Sequence, residues 1–194
     1  MKPEVQAKRS QFLSLQRTLC AHRLVFVDEF GCNRGMARRF ARAFLGERAV
    51  AHAPINYGDN ISVIAAMRHD GVTAAMSVPG AVDGDAFMAF VTKVLVPTLR
   101  PEDTVVLDNL GAHKMACVRE AIEAAGASLL LLPPYSPDLN PIEQCISKIK
   151  HFLRSVAART KEGLDQALIQ ALEMITHQDA SNWVLHCGYE PLLT

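Results

Sequence analysis

Apolar positions along this chain change their period more than once, and the changes predict the order of its elements. Val5, Phe12, Leu15 and Leu19 fall roughly on one side of a helix over residues 1–20. Four runs then predict strands: Leu24–Phe30, Arg48–Ile55, Ile61–Arg68 and Val72–Val78. Between the first two lies a basic, aromatic stretch, Arg34–Arg42, that predicts an irregular segment. Asn56–Asn60 and His69-Asp70-Gly71 predict turns. The period then becomes helical, with Phe87, Phe90, Val91, Val94 and Leu95 on one face and Pro97 at the end. Thr104–Leu107 predicts a strand, Lys114–Ala125 a helix stopped by Gly126, and Ser128–Leu132 a strand closed by Pro133-Pro134. A helix enters at Asn140-Pro141 and runs to about Ala158. Another spans Glu162–Ile175, with Leu164, Leu168, Leu172 and Ile175 inward. Hairpins followed by helix–strand alternation predict an α/β domain, a mixed sheet with helices on its faces. Trp183 and Tyr189 are expected to pack the C-terminal tail.

Composition narrows the class. With 194 residues, 49% of them hydrophobic, the chain can bury one sizeable core. No apolar run approaches the length of a membrane span, and the charged N-terminus lacks the pattern of a secretory leader. Five cysteines include no C-x-x-C pair and the seven histidines no metal-ligand spacing, which predicts reduced thiols and a cytoplasmic protein without a zinc site. Net charge is zero, but it is segregated. Residues 1–48 carry ten Lys/Arg against four Asp/Glu, and residues 49–145 carry five against eleven. Basic flanks around an acidic middle suit a polyanion whose approach to the acids is offset by cations.

Three carboxylates stand out. Asp28 ends the apolar run Leu24–Val27, and Asp108 ends Val105–Leu107; a carboxylate there is paired, exposed or metal-bound. Glu29 alternates to the opposite side of its strand. Glu143 lies thirty-four intervening residues beyond Asp108, at a helix entry. Asn140-Pro141-Ile142-Glu143 also matches a capping box, in which Glu143 would only satisfy a backbone donor. Against that, Ser147, Lys150 and Arg154 continue its polar stripe, while Ile142, Ile146, Ile149 and Leu153 face inward. Asp83-Gly84-Asp85 reads as a turn and helix cap rather than a metal loop. The basic residues Arg34, Arg38, Arg39, Lys114, Lys150 and Arg154 are the candidate DNA contacts. Asn109, His113 and Asn140 are candidate supporting residues.

Taken together, VFVDE, VVLDNLGAHK and LLPPYSPDLNPIEQ resemble the catalytic domain of DDE transposases, in the bacterial insertion-sequence branch of the mariner-like superfamily. RHDGV, GDAF and the final NWVLHCGY are similar as well. The resemblance implies a ribonuclease H-like fold, a mixed five-stranded sheet with helices on both faces. Asp28, Asp108 and Glu143 would be its catalytic, metal-binding acids. They would hold two Mg²⁺ ions, with Mn²⁺ as a substitute, roughly 3.5–4 Å apart. Asp28 would bridge the pair, with Asp108 and Glu143 each completing one shell.

The implied activity is DNA cleavage and strand transfer in cut-and-paste transposition, with insertion at TA dinucleotides. The implied partners are transposon terminal inverted repeats, target DNA and a second copy of the chain. Relatives begin with a helix-turn-helix module. Residues 1–22 are therefore expected to be a lead-in helix or the remnant of a linker to it, and a helix-turn-helix segment from an upstream reading frame is a further implied partner. Residues 23–180 would form the catalytic domain and 181–194 a tail. The expected location is the bacterial cytoplasm, at the nucleoid when DNA is bound. Phe30 and Phe44 depart from the family pattern, which has a small hydroxyl residue and a proline there. The competing readings are an inactive or regulatory transposase fragment and a host nuclease of similar fold.

Overall fold

The computed structural model describes residues 3–38, 40–52, 54, 56–108 and 116–190. Five strands form one sheet in the order β3-β2-β1-β4-β5. They are β1 (Leu24–Cys32), β2 (Ile61–Arg68), β3 (Gly71–Pro79), β4 (Thr104–Leu107) and β5 (Ser128–Leu131). The β1–β2 and β2–β3 pairs are antiparallel, as hairpin-like neighbours must be. The β1–β4 and β4–β5 pairs are parallel and therefore need crossovers. Helices supply them: α2 (Gly84–Phe90) between β3 and β4, and α3 (Ala116–Ala124) between β4 and β5. After α2 the coil widens into a π-type turn over Val91–Leu95 and tightens at Val96–Thr98 around Pro97.

Strand alternation splits the core in two. Val25, Val27, Ile64, Ala66, Val105 and Leu107 face α2 and α3. Phe26, Phe30, Ala65, Met67 and Val106 face the other layer. That layer contains α4 (Ile142–Val156), α5 (Lys161–Glu173) and α6 (His177–His186). α4 buries Ile142, Cys145, Ile146, Ile149 and Leu153, the inward stripe expected of it plus one cysteine. Helices thus cover both faces of the sheet.

The structure departs from the sequence reading at one run and adds packing detail at both ends of the chain. None of the described residues between 48 and 55 is in a strand, and Val50 is 76% exposed. Its apolar character has no sheet neighbour to pack against, so strand propensity goes unused. The expected tail begins inside α6, whose Ala180 and Val184 are buried together with Tyr189. Thr176 and Asp179 cap α6 reciprocally, and Asp179 also accepts from Lys148 of α4 at 2.6 Å. The expected lead-in is helical, α1 (Pro3–Gln16), and packs on the domain. Phe12 and Gln16 are buried, and the Gln16 amide donates to the Cys187 carbonyl at 2.7 Å.

At the end of the sheet remote from Asp108, Arg68 and Asp103 form an ion pair of 2.6 Å, respectively 2% and 0% exposed. The same Asp103 oxygen accepts the Arg100 backbone N–H. This pins the start of β4 to the end of β2.

Candidate active site

Parity and register bring two of the carboxylates together. β1 and β4 run in parallel register up to Val27↔Leu107, so Asp28 and Asp108 come next on adjacent strands. Asp28 has the parity of Phe26 and Phe30, and Asp108 that of Val106, so both belong to the face covered by α4. β1 continues beside β2 while β4 stops, which opens the sheet edge beside Asp28.

The third carboxylate arrives with α4, and here the competing reading of Glu143 is decided. Asn140 does not cap the helix, since the residue before Ile142 is Pro141 and no side chain bonds the first turn. Instead the Asn140 side-chain N–H donates to Asp28 Oδ2 at 2.9 Å. An amide can face a carboxylate only through its nitrogen, so Asn140 Oδ1 must point elsewhere. It is buried without a hydrogen-bond partner. The other Asp28 oxygen accepts the Glu29 N–H at 2.7 Å. Glu143 is exposed and takes no part in a capping box.

Asp28, Asp108 and Glu143 all line one cleft of about 520 Å³, whose wall is the segment Leu132–Pro137 together with Asn140. Their oxygens, with the unpartnered Asn140 Oδ1, are the hard donors that Mg²⁺ or Mn²⁺ takes. In kind they fit such an ion. Among the described residues, however, no three His, Cys, Asp or Glu side chains are grouped closely enough to hold one. Closure needs a side chain to turn inward, and among the described residues the exposed Glu143 carboxylate has no hydrogen-bond or ion-pair partner that would resist.

The cleft wall is braced from outside. Arg9 of α1 reaches it with both terminal nitrogens, donating to Ser136 Oγ at 2.7 Å and to the two Asp138 oxygens at 2.9 and 2.7 Å. This fork holds the Asp138 carboxyl below the usual carboxylate range. On the inner side, buried Tyr189 donates its hydroxyl to the Leu139 carbonyl at 2.8 Å. Just before the braced residues Tyr135 sits at φ 56°, a left-handed conformation that costs a residue with a Cβ ~1–2 kcal/mol. Its side chain is 85% exposed, so burial does not repay that cost. Composition and spacing gave no sign of Arg9, whose partners lie up to 129 positions away. Tyr135 could have been noticed, because Pro-Tyr occupies a turn position where glycine is usual.

A second cleft, about 530 Å³, follows β1 past Asp28 along α4. Arg38, Lys150 and Arg154 line it with Tyr57, which packs so closely on Gly35 that a Cβ there would collide with the ring. Lys150 Nζ stands 5.8 Å from the centroid of the Phe30 ring, which gives that family departure a cation–π role. Arg34 is turned away from this group. It lies against Gly58 and beside Asp59 and Lys161 in a separate cleft. Arg159, just after α4, donates to the Arg34 and Met36 carbonyls at 2.8 and 3.1 Å. Arg39, Asn109, His113 and Lys114 lie outside the described residues. Asp83 caps α2, accepting from Ala86 N at 2.8 Å, as the turn-and-cap reading expects.

A family model described as DDE superfamily endonuclease matches residues 23–165. The chain belongs to the DDE superfamily endonucleases. Its match takes in β1, β4 and the first turn of α4, and hence all three carboxylates. Among solved structures, the Mos1 transposase paired-end complex with left transposon end superposes with TM-score 0.80 at 18% identity, covering 96% of this chain and 60% of that one. The Mos1 transposase catalytic domain with Raltegravir and Mg superposes with TM-score 0.70 at 16% identity, covering 96% and 91%. At such identities the likeness establishes the fold, which is ribonuclease H-like. The chain spans about 60% of the transposase chain in the paired-end complex. No curated protein sequence matches it.

Proposed function

We propose that this domain performs the DNA strand cleavage and strand transfer of cut-and-paste transposition. The observation that carries this reading is that Asp28, Asp108 and Glu143, drawn from two strands and a helix, line one cleft. Asp28, Asp108 and Glu143 would hold Mg²⁺, or Mn²⁺ in its place. Two such ions, when bound, supply Lewis-acid activation of the attacking oxygen and charge for the departing one.

The chain's own residues do the rest. Asn140 orients the Asp28 carboxylate by its 2.9 Å hydrogen bond. The Arg9 fork and Tyr189 hold the wall that delivers Glu143. Arg38, Lys150 and Arg154 lay positive charge along the second cleft, which suits the phosphates of a strand running past the carboxylates. Arg34, beside Gly58 in the neighbouring cleft, stays a further candidate contact for the DNA backbone.

The partners in this reading are transposon terminal inverted repeats and target DNA, and the working form is a homodimer. The paired-end complexes named for Mos1 support DNA as the partner. Residues 23–180 act as the catalytic unit, with the preceding residues leading to a helix-turn-helix segment of a bacterial insertion-sequence protein. Supercoiled-plasmid nicking with Mg²⁺ or Mn²⁺ tests the reading. Nicking by the wild-type chain and its loss in Asp108→Asn, with the melting temperature unchanged, is expected. Equal nicking by the variant would overturn the assignment, and no nicking by a folded wild type would favour the regulatory fragment.

A further inference from the structure

Tyr135 is the one bulky residue held in the left-handed region among the described residues, and folding alone does not explain it. The other non-glycine residues with positive φ are Glu102 and Ala157, the latter ending α4. Tyr135 has φ 56°, yet its side chain is 85% exposed, so the unfavourable backbone is not offset by burial of the ring. Its position is set with care by its neighbours. Pro133, Pro134 and Pro137 restrict the chain on both sides. Arg9 grips Ser136 and Asp138 just beyond it. The result is an aromatic ring at the lip of the cleft that Asp28, Asp108 and Glu143 also line.

We propose that Tyr135 is a stacking platform for an unpaired nucleobase beside the phosphate on which the carboxylates act. This rests on the DNA-cutting reading above and adds a base-binding subsite to it. Within a duplex each base is covered above and below, so a flat ring at this lip can stack only on a base freed from its neighbours. An aromatic face takes any of the four bases, and the platform confers position rather than sequence. Arg9 is a positioning residue for it, acting through Ser136 and Asp138.

The test uses the full chain and short single-stranded oligonucleotides with 2-aminopurine walked through every position, without divalent cations. Binding should quench the fluorescence at one position or two adjacent ones. Tyr135→Phe should keep that quench. Tyr135→Gly should abolish it and weaken binding by roughly 5- to 150-fold, the loss of one base–aromatic stack. Its melting temperature should equal or exceed that of the wild type, since glycine adopts positive φ freely. The proposal is overturned if Tyr135→Gly binds and quenches like the wild type, if no position is quenched, or if Tyr135→Gly melts well below the wild type. Because the quench is read without cleavage, a failure of the Asp108→Asn nicking test is seen separately.

Discussion

Asn140→Ala separates a positioning role from a structural one, because the structure predicts opposite magnitudes for stability and activity. The wild-type side chain makes one charge-assisted hydrogen bond, to Asp28 at 2.9 Å, and leaves Oδ1 buried without a partner. The bond contributes about 1.5–3 kcal/mol, and the orphaned oxygen costs about 1–3 kcal/mol. Removing both together should therefore shift the unfolding free energy by only about 1 kcal/mol. Activity has no such compensation. Without the amide, Asp28 loses the contact that ties it to the entry of α4. Losing about 1.5–3 kcal/mol of orientation in the transition state corresponds to roughly 10- to 150-fold slower nicking. Urea denaturation and plasmid nicking on the same preparation give both numbers. A stability loss above about 3 kcal/mol with nicking unchanged would show Asn140 to be a structural residue, and the argument would fail.

Other consequences follow from single side chains. Asp103→Ala leaves Arg68 buried beside an unfilled partner and should destabilise the chain by about 3–5 kcal/mol, measured by denaturant titration. Glu143→Gln should abolish nicking while leaving the melting temperature in place, because the side chain is exposed. Acid should weaken the fold through His69, which burial and the neighbouring His22 hold below its ordinary value of 6.5. His22 Nδ1 lies 2.9 Å from His69 Nε2, with His177, Asp70 and Arg68 also bearing on it. Its folded form prefers the neutral ring, so the unfolded chain binds more protons and this stability, complete above pH 6.5, is lost as pH falls below that value. His69→Gln should flatten that part of the stability curve. Asp179 behaves differently: Lys148 and Thr176 hold it down to about 2, so its contribution persists until strongly acidic solution.

The sequence by itself determined what repeats locally. The unbroken apolar runs Leu24–Val27 and Val105–Leu107 were enough to put Asp28 and Asp108 at the ends of buried strands, and a polar stripe was enough to make Glu143 a candidate beside its capping role. The period of Ile142, Ile146, Ile149 and Leu153 named the inner face of α4 correctly. Apolar pattern misled at Arg48–Ile55, where none of the described residues joins a strand. Only tertiary structure decided where polar side chains spend their hydrogen bonds. Asn140 fits a helix cap by spacing, yet its amide serves Asp28, 112 positions away. Arg9, Ser136 and Asp138 meet across almost the whole domain, and Arg34 lines a different cleft from Arg38, Lys150 and Arg154. Periodicity reports which way a side chain faces within its own element. A partner in another element is set by strand order and helix docking, which no local window contains.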